Sequence, residues 1–474
     1  MRARLLPLSV LALAALAGCS DSAGPGSSST RVAAAVSTAP DPTGRQIVEF
    51  TTSAPTDFPA RVQALGGVVV WSSSGSGFAT VSGLDATAVA SLGRGVGVTS
   101  VTEDITISLE APALGAAVDA AVEGVESQAA PATSFFYPRQ WNMRAIHADQ
   151  AWAAGFLGSP AVSVYVLDTG IDYRYLDLRT LVDLTRSTDM LGTFLVNGVP
   201  FTEADTVQKY FPGRLAFTDL FFHGTHVAST ISSRALAAAG VTSKTTLVAV
   251  KVCAYLNRCP LSSVLAGVIY AADNGADVMN LSLGGAFSTA GNGRFVSLIN
   301  RTFDYARSKG TTIVVAAGNS ATDIDHNGNE YVNYCNTPAV ICVAATGPTS
   351  QASVNGPWTA VDASASYTNF GRSAIDVAAP GGNGNSFVYA ACSGTSLLIP
   401  ICQTGTFVVG AQGTSMASPH VAGAAALLVP QLGRDPGAIR ARLRQTADDL
   451  GPNGTDPFYG KGRLNIARAV GAIQ

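Results

Sequence analysis

Ala161-Val162-Ser163-Val164-Tyr165-Val166-Leu167-Asp168-Thr169-Gly170 is a short, β-rich apolar run closed by an acid and a glycine. An uninterrupted apolar run of this length reads as a buried parallel strand. Its last residue, Asp168, emerges at the strand's C-terminal edge, where open α/β sheets bind their ligands. Two later stretches repeat the pattern: Asp277-Val278-Met279-Asn280-Leu281 and Thr312-Ile313-Val314-Val315-Ala316. Strands alternating with helical stretches from residue 160 onward predict a doubly wound α/β domain with a mostly parallel sheet. The 49 glycines and the many alanines suit close packing of helices on such a sheet.

Two helices rich in small residues carry the remaining chemistry. His223-Gly224-Thr225-His226-Val227-Ala228 opens one, and Gly413-Thr414-Ser415-Met416-Ala417-Ser418-Pro419-His420 leads into the other. A hydroxyl at a helix mouth gains from unpaired backbone N–H groups and the positive end of the dipole. Taken singly, Asp168 closes a turn and His223 caps a helix. The His223/His226 pair lacks the Glu of the usual helical zinc motif. A serine hydroxyl needs a base to become a nucleophile, and histidine is the side chain whose ordinary pKa lies near working pH.

Three blocks, Val166–Asp172, His223–Ala228 and Gly413–Gly423, carry Asp168, His223 and Ser415 in that chain order, and together they resemble the subtilisin-like serine proteases (subtilases). The resemblance implies that Ser415 attacks a peptide carbonyl, His223 takes and returns its proton, and Asp168 orients the imidazole. It implies an oxyanion hole formed by the Asn319 side chain and the Ser415 backbone N–H. It places substrate along Ser282-Leu283-Gly284-Gly285, with Ala316-Ala317-Gly318 as the opposite wall of the S1 pocket. Neither wall carries an acid, so a large apolar P1 side chain and broad specificity are expected.

Arg2, Arg4 and the apolar Leu5–Leu16 read as an export signal over 1–18, too short to span a bilayer. Leu16-Ala17-Gly18-Cys19 resembles a bacterial lipobox, which implies lipidation of Cys19 at the cell envelope. A Ser/Ala/Gly/Pro-rich tether covers 19–44. Residues 45–110 read strand, helix, strand, strand, helix, strand, a ferredoxin-like α+β unit. That unit resembles the inhibitory prodomain of subtilases. The Ala-rich 111–134 then reads as a linker with the processing site, and 135–474 as the catalytic domain, which maturation would release from its lipid.

At 474 residues, 47% hydrophobic and 13% charged, the chain builds a large core and a smaller second domain. Its net charge of −3 without long charged runs gives no reason to expect nucleic acid as a partner. Protein or peptide substrates, the chain's own prodomain and a monomeric state are expected instead. Seven cysteines less Cys19 leave six. Several pairings are open, and nearest neighbours are the first choice: Cys253–Cys259, Cys335–Cys342 and Cys392–Cys402. Asp323-Ile324-Asp325-His326-Asn327-Gly328 reads either as the first half of a calcium loop, with Asp323, Asp325 and Asn327 as ligands, or as a polar turn. The acid expected at its twelfth position is replaced by Tyr334. No cofactor is expected for catalysis, so calcium would serve structure only. A second reading is a surface lipoprotein that binds and cuts only its own propiece.

Overall fold

Ser163–Asp168 forms a strand with every residue buried. It pairs in parallel with Thr246–Lys251 on one side and Val278–Leu281 on the other. The computed structural model describes residues 42–110, 112–120 and 127–473. The signal segment, Cys19 and nearly all of the tether lie outside them. The central sheet has seven strands: Val377–Pro380, Ile341–Thr346, Thr312–Ala316, Val278–Leu281, Ser163–Asp168, Thr246–Lys251 and Thr188–Asp189. Every neighbouring pair is parallel. The chain is thus an α/β protein with the parallel sheet expected from its apolar runs.

The helix Thr414–Leu432 packs across this sheet, and its first fifteen residues, Thr414–Leu428, are all buried. A helix apolar on all sides belongs in a core. Its small residues permit close approach: a Cβ added at Gly423 would lie 2.6 Å from the Val241 side chain.

The N-terminal unit consists of β1 (Pro42–Phe50), α1 (Phe58–Ala64), β2 (Val68–Ser72), β3 (Phe78–Ser82), α2 (Ala86–Gly93) and β4 (Val98–Ser108). The strands are antiparallel in the order β4-β1-β3-β2. Val48, Phe50, Phe58, Val62, Ala79, Val81 and Leu92 form its own core. Its first strand starts at Pro42, so the last residues assigned to the tether are strand.

Two strand pairings join this unit to the large domain. The free edge of β4 pairs antiparallel with Arg258–Pro260, setting Ile107 opposite Cys259. The chain then continues into β5 (Ala113–Asp119), which pairs antiparallel with Phe407–Gln412. This corrects the reading of 111–134 as linker throughout. Small residues such as Ala113, Gly115, Ala116 and Ala117 hide the alternation, and the strand is held by a partner nearly 300 residues away.

Buried polar contacts reinforce the junction. Asp104 accepts from the Ser262 N–H (2.9 Å) and Ser262 Oγ (2.6 Å) at the start of the helix Leu261–Asp273. Burial pushes its carboxyl above the usual range, opposed by Ser262 and the Arg45 charge. The Arg45 guanidinium donates to the Leu191 and Thr193 carbonyls and to Ser263 Oγ (3.1 Å). The structure contains the disulfides Cys253–Cys259, Cys335–Cys342 and Cys392–Cys402.

Candidate active site

The Ser163–Asp168 strand and the helix His223–Ile231 meet where their ends carry Asp168 and His223. The His223 Nδ1 lies 2.8 Å from Asp168 Oδ1, and both side chains are wholly buried. Asp168 Oδ1 also accepts from the Thr169 N–H at 2.7 Å. Gly224 makes the approach feasible, because a Cβ there would sit 2.1 Å from the Gly170 carbonyl oxygen and 3.2 Å from Asp168. His223 Nε2 is buried without a partner. A ring held in one tautomer through Nδ1–H presents this bare nitrogen as a base.

Ser415 stands on the first turn of its helix and is 3% exposed. Its Oγ donates to the Ser282 carbonyl at 2.9 Å. The reverse contact follows from sequence: Pro419 has no N–H, so the Ser415 carbonyl loses its intrahelical donor. Ser282 Oγ supplies the missing bond at 2.8 Å. Behind it, Ser418 Oγ donates to Asn280 Oδ1 (2.6 Å) and Asn280 Nδ2 to Ser282 Oγ (2.9 Å). This buried chain fixes the Ser415 helix to the Val278–Leu281 strand.

Asn319 is oriented by Thr414. Its Oδ1 accepts from the Thr414 N–H (2.8 Å) and Thr414 Oγ1 (2.9 Å), which turns its NH₂ group away from Thr414. Gly318, with φ +97°, leads into it, and a Cβ there would strike the Asn369 side chain at 2.4 Å.

Ser282, Leu283, Gly284, Ala316, Gly318, Asn319, Asn333, Thr414 and Ser415 line one pocket, so both expected walls meet beside Ser415. Gly285 lies further along the strand, against Ile107. Ala317 sits behind the wall, its carbonyl accepting from Asn333 and Asn369. The Glu110 side chain also lines this pocket. Its carboxylate accepts from the Asn319 N–H and from Ser320 Oγ, the latter at 3.1 Å.

Sequence reasoning missed several positioning groups. Asp219, buried four residues before His223, accepts from the Phe221 and Phe222 N–H groups, from Thr169 Oγ1 and from Thr225 N–H and Oγ1. Burial raises its carboxyl, and these donors oppose the rise. An acid just ahead of a helix start was the available signal. Asn280 and Ser418 gave none, the first lying within a strand and the second within the Ser415 motif.

His226 is a core histidine with Nε2 3.1 Å from the Val388 carbonyl. Desolvation lowers it to about 3, and it lowers His420, which contacts the Met416 carbonyl, to about 4. Both are depressed from 6.5, so below that value the unfolded chain binds protons that the folded one refuses. Stability is therefore complete above pH 6.5 and falls as pH drops toward 4. The expected loss is about 1.4 kcal/mol per pH unit for each histidine. Urea unfolding at pH 7.0, 5.5 and 4.5 checks this, and a flat profile would contradict it.

The candidate cation loop directs its acids elsewhere. Asp325 accepts from Ser373 N–H and Oγ and from Ala374 N–H, while Asp323 accepts from Asp325 N–H and His326. Among the described residues no group of three or more His, Cys, Asp or Glu is placed to hold a metal. The Asp325 carboxylate is taken up by the Ser373–Ala374 segment and that of Asp323 by its own loop, and no step is built on calcium there.

The buried Asp168–His223 pair stands beside the sheet on a helix, His223–Ile231, that packs against the Thr414–Leu432 helix bearing Ser415. The Subtilase family pattern matches residues 159–462, and the chain belongs to that family of serine peptidases. It is 32% identical to thermitase of Thermoactinomyces vulgaris over 343 residues, 72% of this chain and 99% of thermitase. It is 31% identical to subtilisin DY of Bacillus licheniformis over 331 residues, covering 69% and 96%. Its fold matches the epidermin leader peptide processing serine protease of Staphylococcus aureus with a TM-score of 0.66 at 19% identity, covering 91% and 98% of the two chains.

Proposed function

We propose that the chain is an exported serine endopeptidase made as an autoprocessed zymogen. The buried 2.8 Å contact between His223 and Asp168, on a helix packed against the one that bears Ser415, is the observation that carries the reading. Rotation of Ser415 Oγ from the Ser282 carbonyl toward His223 Nε2 readies the attack. His223 takes the hydroxyl proton as Oγ joins the substrate carbonyl carbon. The Asn319 NH₂ group and the Ser415 N–H receive the oxyanion. His223 then protonates the leaving amine, and water repeats the sequence to free the acid. Asn319→Ala should keep the fold and slow acylation of a peptide ester by about 10²–10³, the scale for the matching donor in subtilisin, a member of this family; an unchanged rate would refute its role.

The unit 42–108 would act as intramolecular inhibitor, since β4 leads its last residues into the pocket. Lipid on Cys19 would hold only the propiece at the envelope, leaving the mature monomer free to diffuse. The occupied pocket also favours a second reading, a surface lipoprotein that cuts only itself. Casein hydrolysis by the processed protein separates them: digestion supports the endopeptidase, and processing without any digestion supports the second reading.

A further inference from the structure

Ile107-Ser108-Leu109-Glu110 lies in the site as a substrate would. The Ile107–Ser108 backbone pairs with Cys259 and Arg258 on one side. On the other, a Cβ added at Gly285 would meet the Ile107 side chain at 2.2 Å. Ile107 and Leu109 are 4% and 1% exposed, so they are docked side chains rather than a passing loop. Beyond the pocket, Pro112 approaches Gly413 and β5 takes its place beside Phe407–Gln412. Ile107–Glu110 thus leads to the pocket that Ser415 lines, which sets Glu110 at the P1 position.

The pocket is built for that side chain. The pocket that Glu110 lines has an open volume of about 10 Å³, roughly what one water needs. Asn333 forms its base, with Nδ2 donating to the Ala316 (3.0 Å) and Ala317 carbonyls and Oδ1 accepting from the Cys335 N–H (2.8 Å). Those bonds fix the Asn333 side chain across the pocket, where a Cβ on Gly284 would already lie 2.8 Å from it. A large aromatic side chain is thus stopped short. At the rim, Asn319 N–H and Ser320 Oγ both point donors at the Glu110 carboxylate. No acid other than Glu110 lines the pocket to repel it.

We infer that the S1 site selects glutamate and that the bond on the carbonyl side of Glu110 is the one the enzyme cuts in itself. The inference rests on the serine-protease reading and names the substrate class of the same site. Ser415 Oγ bonds to the Glu110 carbonyl carbon, and its proton passes to His223. The peptide C–N bond breaks, the same proton goes to the amine of Ala111, and water hydrolyses the ester to leave Glu110 with a free carboxylate. After the cut β5 keeps its ladder to Phe407–Gln412, so the new N-terminal segment stays docked.

The test uses the full-length chain and peptide anilides Ac-Ile-Ser-Leu-X with X as Glu, Phe or Lys. The expected kcat/KM for Glu exceeds both others by at least tenfold, and the first fragment seen by intact mass begins at Ala111. Ser320→Ala should lower the Glu-to-Phe ratio about tenfold, the scale of a hydrogen bond to a charged group. A Glu preference below tenfold, an unmoved ratio in Ser320→Ala, or a first cut elsewhere overturns the inference. Fluorophosphonate labelling run alongside separates the failures. A labelled enzyme that prefers Phe loses only the glutamate selectivity, whereas absent labelling and absent cleavage of all three peptides sink the protease reading itself.

Discussion

Ser415→Ala lowers kcat/KM on a peptide substrate by about 10⁶-fold while the chain still folds. The magnitude is carried over from subtilisin, a member of this family, where removal of the serine costs as much as removal of the whole triad. The Ser415 Oγ makes one hydrogen bond, to the Ser282 carbonyl. Its loss leaves Ser282 Oγ on the Ser415 backbone and the Asn280–Ser418 contact behind it. The variant should therefore unfold within about 1 kcal/mol of wild type, a typical single hydrogen bond. It should also accumulate as an uncut precursor in the membrane fraction while the wild-type catalytic domain appears in the medium. Activity assays and fractionation check both parts, and wild-type-like processing in the variant would contradict the role of Ser415.

Asp168→Asn should lower kcat by about 10⁴ with little change in KM, again the scale known for this triad in subtilisin and trypsin-like enzymes. Asp168 Oδ1 is shared between His223 Nδ1–H and the Thr169 N–H, and its other oxygen is buried without a partner. An amide there keeps the shape but offers an NH₂ where the imidazole needs an acceptor, which forces the wrong tautomer onto His223. The imidazolium formed during attack also loses its buried counter-charge. Steady-state kinetics from pH 6 to 10 measures the effect, and a loss below tenfold would show that Asp168 does not orient the base.

The sheet and the blocks that carry Asp168, His223 and Ser415 were legible because each depends on short-range patterns. An apolar run ending in Asp168 and two small-residue helix starts carry their chemistry within ten residues apiece. The ferredoxin-like unit was equally plain from its alternation and turns. What stayed hidden depends on partners far along the chain. β5 is a strand because Phe407–Gln412 offers an edge, and Asp325 bonds to Ser373 and Ala374, 48 and 49 residues away. Glu110 is an unremarkable acid in the sequence, and only the fold sets it against Asn319 and Ser320. Asn333 likewise becomes a pocket base through carbonyls 16 and 17 residues upstream.

Mapping the serine modified by a biotinylated fluorophosphonate tests the central claim most directly. The account predicts that peptide sequencing finds the label on Ser415 and that His223→Ala abolishes it. A label on another serine with Ser415 unmodified, or labelling that persists without His223, would contradict it.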